Sequence, residues 1–170
     1  AAVRDLEEEI KAFDSAAEGI NQRLAEGLGL EGVEPLVPDE AGLGSGRWGR
    51  LERRLPLGQL IGRVKEFLSL NRVQYVGDQD GAVRSVAVAC GSAAELIGAA
   101  LELGCEAMLV GEARFHACLE AEASGLALVI PGHFASERFA VECLAGVLAE
   151  QFPHLDVWAS REERDPLGWA

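Results

Sequence analysis

No apolar run in this sequence reaches the roughly 18 residues that a membrane-crossing helix needs. The first residues are acidic and amphipathic, so neither a membrane span nor a signal peptide is predicted. Basic residues are few: 15 Lys and Arg stand against 28 Asp and Glu, for a formal net charge of −13. Most of such a surface repels a phosphate backbone, which argues against nucleic acid as a partner. The one basic stretch, Arg47, Arg50, Arg53, Arg54 and Arg63, reads as a solvated face rather than an anion site. The four cysteines, Cys90, Cys105, Cys118 and Cys143, form no C-x-x-C pair and sit in apolar stretches. Buried thiols in a reducing cytoplasm are expected.

What is present describes a globular chain. Its 170 residues are 49% apolar and 25% charged, enough for a real core. Val3, Leu6, Ile10 and Phe13 recur at helical spacing, and Ser15 and Glu18 form an S-x-x-E capping box. A second helix carries Ile20, Leu24 and Leu28 on one side. Residues 31–49, with Pro35, Pro38 and four glycines between 42 and 49, read as a loop. This run lacks the G-K-[ST] ending of a phosphate-binding loop. Leu60, Ile61, Val64, Phe67 and Leu68 mark another helix. Residues 72–76 and 83–89 read as strands joined by a turn at 77–81. Helices at 93–103, 114–123 and 135–151 then alternate with strands at 107–110, 126–130 and 156–159. Repeated strand–helix units need parallel neighbours, and strands apolar on both faces need helices on both sides. The expected fold is an α/β layered sandwich, a mostly parallel sheet flanked by helices, with an N-terminal helical segment. Residues 1–56 form one expected region of helices and loop, and 57–170 an α/β metal-site domain.

Ligands of open α/β sheets bind beyond the carboxyl ends of the strands. Three such ends carry chemistry here: Cys90-Gly91-Ser92, Gly111-Glu112 and Pro131-Gly132-His133. His133 follows a strand and opens a helix, and Glu137 lies four residues on, on the same helical face. An imidazole and a carboxylate so spaced can share a divalent ion such as Zn, Fe, Mn, Ni or Mg. The alternative is a surface ion pair at a helix start. Glu112 and His116 repeat the four-residue offset; bland helix-surface roles compete with functional ones there. Cys90 could also act as a nucleophile at a strand–helix turn, although the flanking glycine pattern of a nucleophile elbow is absent. His154, after Pro153, is read as structural.

The blocks VAVACGSAAEL, MLVGEARFHACLEA and LVIPGHFASER, in this order, resemble the Nif-three-like family, the GTP cyclohydrolase I type 2 homologs. AFDSAAEGINQRLAEGLGL, GRWGRL and LIGRVKEFL upstream are similar to it too, so the resemblance runs from about Ala12 to the C-terminus. It implies an α/β fold, a ring-like homo-oligomer (hexamer or trimer) and a pair of divalent metals in a cleft. The family's late G-H-x-x-x-E motif falls on His133 and Glu137, and the aspartate of its H-T-x-x-D segment falls on Asp14. The histidine and threonine of that segment are replaced by Ile10 and Lys11, and the family's early histidine pair has no counterpart. Residues 1–56 are thus expected to be the remnant of a truncated lobe. The implied chemistry is metal-assisted hydrolysis, cyclohydrolase- or phosphoesterase-like, with Glu112 and His116 orienting the groups around the ion. The other function in view is a non-catalytic oligomeric scaffold that keeps the fold with an incomplete metal site.

Overall fold

The computed structural model describes residues 19–40 and 43–168. The predicted helix at 3–13, the capping box at Ser15 and Glu18, and Asp14 lie outside these residues. In chain order the elements are α1 (Ile20–Gly27), β1 (Leu30–Val37), β2 (Ser45–Pro56), α2 (Leu57–Phe67), β3 (Gln74–Val76) and β4 (Ala82–Ala89). A 3-10 turn (Ala94–Leu96) follows, leading into α3 (Ile97–Glu102), β5 (Ala107–Val110), α4 (Phe115–Ser124), β6 (Ala127–Ile130) and α5 (His133–Gln151).

The strands form one mixed sheet in the order β1-β2-β4-β5-β6-β3. Its centre is parallel: Val86 pairs with Ala107 and Ala89 with Val110, while Ala107 and Leu109 pair with Ala127 and Val129. Both flanks are antiparallel. The central strands are buried on both faces, so alternate residues feed two cores. Val86, Val88, Leu109 and Val129 pack with Leu24 of α1, Leu60 and Val64 of α2 and Ala140 of α5. Ala87, Met108, Val110 and Leu128 pack on the other face with Ile97 and Ala100 of α3 and Ala121 of α4. Each fully buried Leu, Val or Met contributes about 1.5–3 kcal/mol relative to exposure. The layered α/β architecture and the three central strands thus agree with the sequence pattern. Among the described residues no helix is long and apolar enough to cross a membrane.

Three local expectations are corrected. Residues 31–49 are not a loop: most of them belong to β1 and β2, an antiparallel hairpin at the sheet edge. Two of their glycines serve close approach: a Cβ on Gly44 would lie 2.0 Å from the Val37 carbonyl oxygen, and one on Gly49 2.9 Å from that of Glu31. Pro35 is tolerated because β1 is an edge strand, which can spare an N–H. Second, β3 does not pair with β4. The turn at 78–81 forms, with Gly81 N–H donating to the Asp78 carbonyl at 3.0 Å. The crossovers through α3 and α4, however, insert β5 and β6 between the two strands, and β3 closes the far edge against β6. Third, residues 156–159 are not a strand. The edge of β6 is already taken by β3, and the segment beyond is drawn to α5. There Arg138 donates to the Ser160 carbonyl and sets Nε 3.2 Å from Glu163.

The basic stretch is not a uniform solvated face either. Arg47 is 2% exposed and donates to the carbonyls of Gly44 and Gly46 and to Gln22 Oε1. Burial lowers its pKa, and Asp39 opposes that shift. Arg50 stacks over Trp48, Arg63 donates to the Leu28 carbonyl, and Arg54 pairs with Glu106. These guanidiniums fasten the hairpin and its neighbours, so the stretch does not gather into one anion site.

Candidate metal centre

The three strand ends singled out in the sequence meet at one edge of the sheet. Backbone hydrogen bonds continue the ladder past the strands: Glu112 N–H donates to the Gly91 carbonyl and Gly132 N–H to the Gly111 carbonyl, both at 3.0 Å. Two of these ends approach closely because each offers a glycine. A Cβ on Gly111 would stand 2.4 Å from Ser136 Oγ and 2.6 Å from Gly91 N and O. Gly91, at φ +62°, faces the side chains above it; a Cβ there would stand 2.4 Å from Glu137 Oε1 and 3.5 Å from His133 Nε2. The absence of that atom lets the Glu137 carboxylate lie against the Gly91 backbone.

Ser136 fixes the turn into α5. It is fully buried; its Oγ donates to the His133 carbonyl at 2.8 Å and accepts the Gly91 N–H at 3.0 Å. Asn21 of α1, also buried, accepts the Cys90 N–H at 2.8 Å. The end of β4 is therefore held by two helices, α5 and α1. The sequence reading missed both residues. Their signals are faint: a polar residue on the apolar side of α1, and a serine between His133 and Glu137 in the first turn of a helix.

His133 is the first residue of α5 and lies between two carboxylates. Its Nδ1 is 3.2 Å from Glu112 Oε1, and its Nε2 is 3.2 Å from Glu137 Oε1. The side chains are accessible, with exposures of 48% for His133 and 30% for Glu137, so a ligand can reach them. Two ligands of one ion at bond lengths of about 2.0–2.2 Å stand about 3.0–3.5 Å apart in octahedral or tetrahedral geometry. The Nε2–Oε1 spacing falls in that range, and the donor set, one imidazole and one carboxylate, suits a divalent ion. Glu112 meets the opposite nitrogen. Among the described residues no group of three or more His, Cys, Asp or Glu is placed to hold a single ion.

The other candidates are dispersed. His116 lies exposed in the first turn of α4, its ring 6.2 Å from that of Phe115, rather than in this contact set. Cys90 is 6% exposed and lines a cleft of about 420 Å³ together with Asn21, Gly91, Ser92 and Glu137. His154 packs edge-on against Phe152.

The sequence matches the Duf34/NIF3 (NGG1p interacting factor 3) family over residues 11–166. The chain belongs to the Duf34/NIF3 family. A protein named GTP cyclohydrolase 1 type 2 homolog, from Nostoc sp. (strain PCC 7120), is 35% identical over 90% of this chain and 58% of its own length. A protein named NIF3 homolog from Schizosaccharomyces pombe is 27% identical over 92% of this chain and 60% of its own length. A Bacillus cereus protein related to NIF3, solved as a crystal structure, superposes with a TM-score of 0.83. At 21% identity, over 93% of this chain and 71% of that one, it shows a shared fold. The chain spans about three fifths of the length of the Nostoc and Schizosaccharomyces pombe relatives.

Proposed function

We propose that this Duf34/NIF3 chain binds a divalent metal through His133 Nε2 and Glu137, and that the site serves metal-assisted hydrolysis of a small molecule. The observation that carries the reading is the position of one imidazole between two carboxylates. Glu112 on Nδ1 favours the tautomer with its proton on that nitrogen, which turns the lone pair of Nε2 toward Glu137. Glu137 adds negative charge at the same point, and Gly91 sets no side chain against either atom. Asp14, on which the resemblance puts the family's aspartate, would complete three ligands, with water filling the rest. Zn, Fe, Mn, Ni and Mg all accept such a donor set. A bound divalent ion supplies Lewis acidity and a coordinated water of lowered pKa. This chain's residues hold and orient: Ser136 locks the helix start that carries His133, and Asn21 holds the facing turn at Cys90.

Self-association fits the same picture. Leu144 and Leu148 of α5 and Phe152 just past its end follow one another at helical spacing, each 37–41% exposed, a stripe that a second copy would cover. A cytoplasmic location suits the thiol-bearing core. The scaffold reading is favoured by one observation: the described residues supply two donors for an ion rather than a full set.

Metal analysis of protein purified without a histidine tag, with anomalous scattering at the His133 position, separates the two. Stoichiometric metal with an anomalous peak between His133 and Glu137 supports the metal reading. A metal-free protein that stays oligomeric supports the scaffold.

A further inference from the structure

Beside the His133–Glu137 pair lies a cavity of about 780 Å³. That volume falls within the roughly 300–1,000 Å³ of small-molecule sites. His133 and Glu137 form one wall. Leu70 and Asn71, between α2 and β3, form a second. Phe134 and Val141 of α5 and Leu167 of the C-terminal segment supply apolar lining. Arg138 holds that segment in place through Ser160 and Glu163.

The charges around this cavity restrict what can enter. Its lining includes the carboxylates of Glu137, Glu163 and Asp165 against the guanidiniums of Arg72 and Arg138. Arg138 is engaged by Glu163 through Nε and by the Ser160 carbonyl through Nη2, while its buried Nη1 makes no hydrogen bond and stands 3.7 Å from the Glu142 carboxylate. Glu112 adds another carboxylate on the far side of His133. A nucleoside triphosphate would carry several negative charges toward these groups in a protein of net charge −13. An uncharged ring meets no such opposition and gains the apolar contacts of Leu70, Phe134, Val141 and Leu167.

We propose that this cavity receives the organic body of the ligand, and that this body is an uncharged, ring-sized group rather than a nucleoside triphosphate. Its polar, metal-facing end lies against His133 and Glu137, and that orientation alone rests on the metal reading above. Some relatives carry GTP in their names; the cavity of this chain is suited to a different substrate class.

The first test needs no metal. Indole is titrated into the metal-free protein with carbon-13-labelled methyl groups. Shifts are expected at Leu70, Val141 and Leu167, with Leu55 in the core unmoved, and GTP at equal concentration should produce none of them. Unmoved cavity methyls with indole, or shifts with GTP alone, overturn the proposal whatever the metal content. The second test uses protein loaded with zinc. Benzohydroxamate is expected to bind at least about tenfold more tightly than acetohydroxamate, because only the former carries a ring into the cavity. Val141→Trp, at a position 40% exposed, should erase that ratio. Leu167→Asp, at a position 74% exposed, is a second variant with the same expected loss. An unchanged ratio in both variants overturns the proposal. Failure to load zinc would remove the metal reading, with the indole titration still deciding the cavity.

Discussion

Adding one methyl group in front of the proposed metal position separates the cost to folding from the cost to binding. In Gly91→Ala the new Cβ would lie 2.4 Å from Glu137 Oε1, whereas ordinary contact begins near 3.4 Å. The carboxylate must retreat by about 1 Å, the difference between these values. It is the end of a flexible side chain, so the retreat itself costs the fold little. The backbone at φ +62° adds about 1–2 kcal/mol, the usual penalty for an L-residue in the left-handed region. A retreat of 1 Å carries the oxygen well outside the roughly 2.0–2.2 Å bonding range, so metal affinity should fall by about tenfold or more. Gly111→Ala is the contrast. Its Cβ meets Ser136 Oγ and the Gly91 backbone, which cannot swing aside, so it should cost about 3 kcal/mol, the upper end of overpacking penalties. Urea denaturation gives the stability difference and calorimetry with Zn or Mn gives the affinity. A folded Gly91→Ala protein that binds metal as tightly as wild type would refute the placement of the ion before Gly91.

Four further outcomes follow from particular contacts. Glu112→Gln should weaken metal uptake by about 10–100-fold in calorimetry, because the partner of Nδ1 loses its charge; an unchanged affinity would strip Glu112 of that role. Ser69 is the only non-glycine with positive φ among the described residues, at 55°, just past the end of α2. Ser69→Gly should therefore raise urea stability by about 0.5–1 kcal/mol, and a loss would contradict the strain argument. Burial opposes the charge on Glu106, but the N–H groups of Ser85 and Arg84 and the Arg54 guanidinium outweigh it and hold its pKa below the ordinary value. Its stabilising effect is complete above the ordinary glutamate range near about 4.3 and lost as pH falls through the depressed folded value. The stability gap between wild type and Glu106→Gln, followed by chemical denaturation, should thus close below that range; a gap independent of pH would refute it. Arg138→Ala should release the segment at Ser160 and Glu163 and speed trypsin cleavage at Arg161 and Arg164, with equal cleavage rates counting against the latch.

The parts of the fold legible in the sequence are those where burial writes a pattern. The central strands β4, β5 and β6 are apolar on both faces, and α1 and α2 keep their apolar residues on one side, so their type could be read directly. β1 and β2 were hidden because their glycines and Pro35, which allow close approach at an edge, are also the residues of loops. The partner of β3 was not local information at all, since two crossovers decide which strand reaches it. At the site, His133 and Glu137 were visible because a four-residue offset at a helix start fixes their shared face. Glu112 was suggested by the convergence of strand ends, but its contact with Nδ1 needs the tertiary fold. Arg47, Asn21 and Ser136 escaped because such residues are usually exposed, and only the completed packing shows that they are buried and hydrogen-bonded.

The central claim, that His133 and Glu137 hold one divalent ion, is tested most directly by calorimetric titration of the tag-free protein beside His133→Ala and Glu137→Gln, each checked for folding by thermal melting. The account predicts stoichiometric uptake by the wild type, none by His133→Ala and weakened uptake by Glu137→Gln, with all three folded. A folded His133→Ala protein that binds the ion as the wild type does would contradict it.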